Sequence, residues 1–199
     1  MQAVLEWIKN YFINVFSSPA QIVGFVALVV AVSSFQQRER KGLLFMQSFS
    51  TMLFCIHMLM LKGYSGSALN FLSAVRSVVY YNKDKKWASS IWWPVGFMIA
   101  FTAVTAAIMI FIPSDFPRWY NIFPLIGAYV YTIATYIDSA KVVRRTIWLS
   151  SVVWIIYGIA VGSIAGVVAE SISLVSDAIA ILRFDILGKK RKTHNKWGM

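Results

Sequence analysis

Four positions along one helical face recur a hundred residues later in this chain. Gly66, Asn70, Ser73 and Ser77 are matched at that constant offset by Gly166, Glu170, Ser173 and Asp177. Each set runs i, i+4, i+7, i+11, a spacing that aligns side chains on one face of an α-helix. Both sets lie inside stretches otherwise apolar enough to cross a membrane. A polar stripe turned toward lipid is strongly unfavourable, so the two stripes are expected to face each other across a cavity in a helical bundle.

Of the 199 residues, 58% are hydrophobic and 14% charged, and the mean hydropathy is +0.64. A soluble domain of this size cannot hide so much apolar surface; soluble domains carry roughly 25% charged residues. Seven apolar segments can be read, at about 19–35, 43–61, 64–81, 90–112, 119–137, 147–163 and 164–182. Each approaches the ~20 residues that a helix needs to span the hydrocarbon core. The single cysteine, Cys55, excludes an internal disulfide.

The net charge of +11 is distributed by side. With seven spans, one side collects three Lys/Arg in 38–41, three in 83–86, three in 141–145 and six in 183–196; the other has Lys9, Lys62 and Arg118. Fifteen against three places the N-terminus outside and the C-terminus in the cytoplasm. Arg76, within a span, completes the nineteen. The run Lys189-Lys190-Arg191-Lys192 follows the last span, where it would meet anionic lipid headgroups. No aromatic residues interleave it, which argues against nucleic acid as a partner.

A unit of three spans ends on the side opposite its start, so one extra span must separate two parallel copies. The sequence therefore predicts an all-α, seven-helix membrane protein with a 3+1+3 arrangement of three-helix-bundle repeats. Residues 1–18 form an amphipathic helix lying in the outer interface, with Val4, Leu5, Ile8, Tyr11, Phe12, Val15 and Phe16 on one face. The first repeat covers 19–86, the linker span 87–113, the second repeat 114–186 and the basic cytoplasmic tail 187–199.

Several runs resemble known families. Trp154-Ile155-Ile156-Tyr157-Gly158, followed by Gly166 and a polar residue four later, resembles the end of a repeat in the SWEET sugar transporters, of the PQ-loop (MtN3) superfamily. Ser34-Phe35-Gln36-Gln37, Leu53-Phe54-Cys55-Ile56-His57 and Ala68-Leu69-Asn70 with Ser73 and Arg76 resemble the bacterial inner-membrane YgjV family. The resemblance covers about residues 20–185 and implies a multi-pass protein of the bacterial inner membrane with SWEET-like three-helix bundles. In SWEET proteins two asparagines, on the third and seventh helices, contact the substrate. Asn70 falls on the first position and Glu170 on the second, an acid in place of an amide. The hinge prolines of those proteins are mostly missing; Pro124 lies inside the fifth span and Pro19 at the edge of the first.

Each candidate residue admits two readings. Glu170, about six residues inside its helix, is a proton- or cation-coupling group or a structural hydrogen-bond partner. Arg76 and Asp177, near the cytoplasmic ends of their helices, pair as an inner gate, or Arg76 snorkels and Asp177 is wetted. Trp154 and Tyr157 wall a pocket for a ring-shaped solute or simply pack. His57, which corresponds to Tyr157 at the repeat offset, is a proton relay or a hydrogen-bonded packing residue. Ser73 and Ser173 complete the expected binding set.

The expected function is alternating-access transport of a small polar, sugar-like solute, with coupling to protons through Glu170. The alternatives are a vitamin, nucleoside or amino-acid transporter of the same fold, or a non-transporting membrane receptor or accessory protein. No nucleophile, phosphate-loop or metal-ligand spacing occurs, so neither an enzymatic activity nor a cofactor is expected.

Overall fold

The computed structural model describes residues 17–34, 40–113, 117–137 and 140–182. These form seven α-helices and no strands: α1 (Pro19–Ser34), α2 (Arg40–Met60), α3 (Tyr64–Tyr81), α4 (Trp92–Phe111), α5 (Ile122–Tyr136), α6 (Ala140–Ala160) and α7 (Ile164–Ala180). A single 3-10 turn, Arg118–Asn121, leads into α5. The amphipathic helix expected at 1–18 falls almost wholly outside the described residues, and the basic tail at 187–199 entirely so.

Six helices close a ring. α1 packs on α2, α2 on α3, α3 on α5, α5 on α6, α6 on α7, and α7 back on α1. α4 stands outside this ring, against α3 and α5. Its contact is an apolar seam in which Leu69, Val79 and Tyr80 of α3 meet Phe97 and Phe101 of α4 and Ala128 of α5.

The same turn is built twice. Lys62 has φ 59° and Gly162 has φ 71°. Gly63 N–H donates to Met58 O at 2.9 Å and Lys62 N–H to Leu59 O at 3.0 Å; Ser163 N–H donates to Gly158 O at 2.8 Å and Gly162 N–H to Ile159 O at 3.3 Å. Each is a left-handed helix cap that satisfies the last carbonyls and reverses the chain at once. Deeper in the ring, Ser50 Oγ donates to Ala27 O at 2.8 Å and Ser150 Oγ to Gly127 O at 3.1 Å. Hydrogen bonds thus recur at the offset of a hundred residues that relates the polar stripes.

The distribution of polarity is inverted relative to a soluble bundle. Gln21, Ser50, His57, Ser65, Arg76, Thr132 and Ser163 are buried, while Val29, Phe45, Ile99, Ile110, Ile159 and Val175 are exposed. Among the described residues, only Trp92–Phe111 is a clear membrane span by length and composition; Pro19–Ser34, Phe45–Met60, Trp148–Ala160 and Ile164–Val175 are shorter apolar helices. The contrast follows from position in the ring. α4 contributes mainly apolar contacts and carries only Thr102 and Thr105 as hydroxyl side chains, whereas ring helices must present serines, amides and charges inward.

Pro19, Pro94 and Pro124 each lie in the first turn of a helix. An N–H lacks an intrahelical partner there in any case, so these prolines initiate helices rather than kink them. Pro124, expected inside the fifth span, lies at the start of α5 because the 3-10 turn takes the preceding residues.

Candidate functional site

The ring encloses a cavity of about 270 Å³. All six ring helices contribute to its wall, and α4 contributes nothing. Asn70, Ser73 and Arg76 come from α3, and Glu170 and Ser173 from α7; the two stripes therefore line one space. Trp154 of α6 also lines it. Asp177 is in α7, but its side chain lies outside those described.

Asn70 is partly tied to its own helix, with Nδ2 donating to Gly66 O at 2.8 Å. Ser77 Oγ likewise donates to Ser73 O at 2.9 Å. Trp154 is seated by a glycine: a Cβ added at Gly127 would lie 2.5 Å from Trp154 Nε1. The indole therefore rests directly on the α5 backbone, and any larger residue at 127 would displace it.

Arg76 is 4% exposed. Its Nη1 donates to Thr132 Oγ1 at 2.6 Å and to Ala128 O at 3.4 Å, both on α5. The guanidinium lies 4.9 Å from the ring centre of Tyr131 and 6.0 Å from that of Phe101. Arg76 does not snorkel to an interface; it is held within the ring by neutral acceptors and aromatic faces. The Arg76–Asp177 pair expected from the sequence falls on a side chain outside the described set.

Tyr157 is not on the cavity wall, a correction to the pocket role read from its i, i+3 spacing with Trp154. Its ring meets Trp154 edge-on at 6.0 Å, but its hydroxyl lies beyond the cavity end. There it accepts from Gly66 N–H at 3.0 Å and is 3.1 Å from Ser65 Oγ. A buried phenol needs a polar partner, and the unsatisfied amides at the start of α3 supply one. His57 is also absent from the wall. Its Nδ1 is 2.6 Å from Ala20 O and its Nε2 2.7 Å from Ser163 Oγ. Ser163 Oγ in turn accepts from Gly166 N–H at 3.1 Å.

These bonds seal one end of the ring by a reciprocal exchange. Tyr157 of α6 reaches the first turn of α3, and His57 of α2 reaches the first turn of α7. Gln21 Oε1 accepts from Ala165 N–H at 3.4 Å, and Asn121 Oδ1 accepts from Ser65 Oγ at 2.5 Å. Both pairs, Gln21 with Asn121 and Ala165 with Ser65, obey the offset of a hundred residues. Gln21 Nε2 also donates to Gly162 O at 2.8 Å. The lining stops at Met58 and Gly166 toward this sealed end and extends to Ser34 and Ser77 at the other.

Residues 18–187 match the family model Imp-YgjV, described as bacterial inner membrane protein. The chain belongs to this family. It is 25% identical over 165 residues to the inner membrane protein YgjV of Escherichia coli strain K12, covering 83% of this chain and 84% of that protein. No solved structure matches the chain. Membership in Imp-YgjV accounts for the exposed apolar surface: the solvent of the outer faces is lipid, and the polar groups turn inward because lipid cannot hydrogen-bond them.

The sequence reading missed Thr132 and Tyr131, which hold Arg76, and Gln21, Asn121, Ser65 and Ser163, which seal the ring. Gln21 and Asn121 carried a signal, being amides at the repeat offset, as were Ser50 and Ser150. Thr132 and Tyr131 carried none, since residues 31 and 32 are Ala and Val.

Proposed function

We propose that this Imp-YgjV protein is a SWEET-like transporter that moves a small polar solute across the inner membrane by alternating access. The observation that carries the proposal is the cavity walled by six helices, with both polar stripes contributing. A structural scaffold has no need of a polar space at its centre, where every buried polar group costs stability unless satisfied. In this reading the chain crosses the membrane seven times, N-terminus outside, as two parallel three-helix repeats joined by α4. The recurrence of turns and hydrogen bonds at a single offset supports that arrangement, and the Lys/Arg asymmetry supports the orientation.

The lattice of His57, Tyr157, Gln21 and Asn121 then closes the outer end, and the cavity belongs to a state reached from the cytoplasm. Transport requires this lattice to open while the opposite end closes. Its bonds link residues of the two repeats, so rocking one repeat against the other would break them together. Glu170 is the group through which a proton gradient would act.

The test is counterflow. Purified protein in liposomes preloaded with unlabelled sugars or amino acids should accumulate the corresponding labelled compound, and empty liposomes should not. Failure of both classes to exchange would count against transport.

A further inference from the structure

Arg76 and Glu170 are the charged side chains among the described residues that line the cavity. They stand differently. Glu170 already has an interaction partner. Arg76 is 4% exposed, and its acceptors, Thr132 Oγ1 and Ala128 O, are neutral. Thr132 Oγ1 itself donates to Ala128 O at 2.6 Å, so the α5 contact orients the guanidinium without neutralising it. Tyr131 and Phe101 set aromatic rings against it, not an anion. Among the described residues Arg76 therefore has no acidic partner, and its hydrogen bonds leave from Nη1 alone. A cation desolvated without a counter-charge is costly.

A second donor belongs to the same arrangement. Tyr131, whose ring centre lies 4.9 Å from the guanidinium, donates its hydroxyl to Gln47 Oε1 at 3.3 Å. That bond occupies the amide oxygen and leaves Nε2 as a donor. Among the described residues the sealed polar atoms that lack a partner belong to Tyr80 and Thr105, not to Arg76 or Gln47. The unused donors of these two side chains thus reach open space, and the space that both border is the cavity. The hydroxyls around them have the opposite character. Ser34, Ser50, Thr51, Ser77 and Ser150 line the cavity, and each donates its proton to a backbone carbonyl at 2.6–3.1 Å. What they offer a solute is lone pairs.

We propose that the cavity takes a small hydroxylated carboxylate, a sugar acid in chemical type, with its carboxylate on the Arg76 guanidinium and the Gln47 amide and its hydroxyls donating to the serine and threonine oxygens. This rests on the transport reading above and names the class of its cargo. A carboxylate matches the donor fork of a guanidinium and supplies the missing counter-charge. The solute hydroxyls supply the protons that the wall hydroxyls have already committed to the backbone. Glu170 does not oppose this placement. It is the repeat counterpart of Asn70, and six residues of α3, about 9 Å of helix, separate Asn70 from Arg76. The cavity volume of about 270 Å³ suits a single small molecule.

The experiment is a thermal-shift and counterflow series on the full-length protein. The probes are glycerate and gluconate, each beside its alcohol (glycerol, sorbitol) and its hydroxyl-free acid (propionate, hexanoate), together with glucose, alanine and sulfate. At least one hydroxy acid should stabilise the protein and exchange across liposomes. Its alcohol should bind on the order of 10- to 100-fold more weakly, the loss expected for one charged hydrogen-bonded partner, and its hydroxyl-free form should also bind more weakly. Arg76→Gln should bring the acid down to the level of the alcohol and leave the alcohol unchanged. Where that variant does not fold, Gln47→Glu serves: it keeps an acceptor for Tyr131 and sets a negative charge against the carboxylate, so the acid weakens and the alcohol does not. A structural role for either residue would weaken both alike. Equal binding of an acid and its alcohol or its hydroxyl-free form, stabilisation by sulfate equal to that by the acids, or exchange of glucose or alanine with no response to either hydroxy acid would overturn the sugar-acid proposal and leave transport intact. No binding or exchange by any probe would overturn both.

Discussion

The Tyr157 hydroxyl caps the first turn of α3, accepting from Gly66 N–H at 3.0 Å across a sequence separation of 91 residues. The contact needs glycine. A Cβ at position 66 would lie 2.5 Å from Tyr157 Cε1. Gly66→Ala should therefore destabilise the protein by about 1–3 kcal/mol, the range for overpacking a tight core. Tyr157→Phe keeps the ring and removes the acceptor from a buried amide, at a cost of about 1–3 kcal/mol. Thermal unfolding in detergent reads both, and an unchanged midpoint for Tyr157→Phe would remove the cap from the account.

His57 ties α2 to α1 through Ala20 O and to α7 through Ser163 Oγ. His57→Leu should cost roughly 2–3 kcal/mol, since two buried polar groups lose their partner. It should also loosen the sealed end. In a Cys55→Ser background, a cysteine introduced at Ser173 should react with a membrane-impermeant thiol reagent added outside more readily after His57→Leu than before. Equal labelling would mean that the His57 lattice does not gate the cavity.

Trp154 and Gly127 are expected to act as a pair. Gly127→Ala would push the indole into the cavity, because the added Cβ overlaps Nε1. Solute affinity should fall about 2- to 10-fold, by loss of one aromatic contact of roughly 0.5–1.5 kcal/mol. Trp154→Ala should weaken binding by a similar factor. Binding isotherms for the two variants measure this, and full affinity in Trp154→Ala would take the indole off the solute.

The topology has its own check. Reporter fusions after Lys86 and Arg145 should give a cytoplasmic signal and one after Lys62 an external signal. A periplasmic signal at Arg145 would break the relation between the two repeats as well as the orientation.

Glu170→Gln keeps the shape of the side chain and removes its charge and its proton. At saturating solute the variant should still exchange, while accumulation driven only by a pH difference is abolished. Accumulation at the unaltered level would separate Glu170 from proton coupling.

Helix boundaries and the inward faces were legible because periodicity is a local property. α3, at Tyr64–Tyr81, coincides with the third apolar segment, and α4, at Trp92–Phe111, falls within the fourth. A polar residue every three or four positions in an apolar helix fixes which face turns away from lipid. The repeat offset further indicated that Asn70 and Glu170 belong to equivalent faces, and both line the cavity.

Periodicity does not say which helix a face will meet or how deep along the ring a side chain will end. Tyr157 shares the face of Trp154 in sequence, yet its hydroxyl is drawn past the cavity to the unsatisfied amides of α3. Arg76 meets Thr132 and Tyr131, more than fifty residues away and with only Ala31 and Val32 at the offset of a hundred residues. Such partners are set by the ring closure α3 to α5, which juxtaposes helices distant in the chain and gives the buried Arg76 donors acceptors on α5. The sequence by itself determined seven helices and their polar faces; only the packing of those helices decided which polar groups seal the ring and which line the cavity.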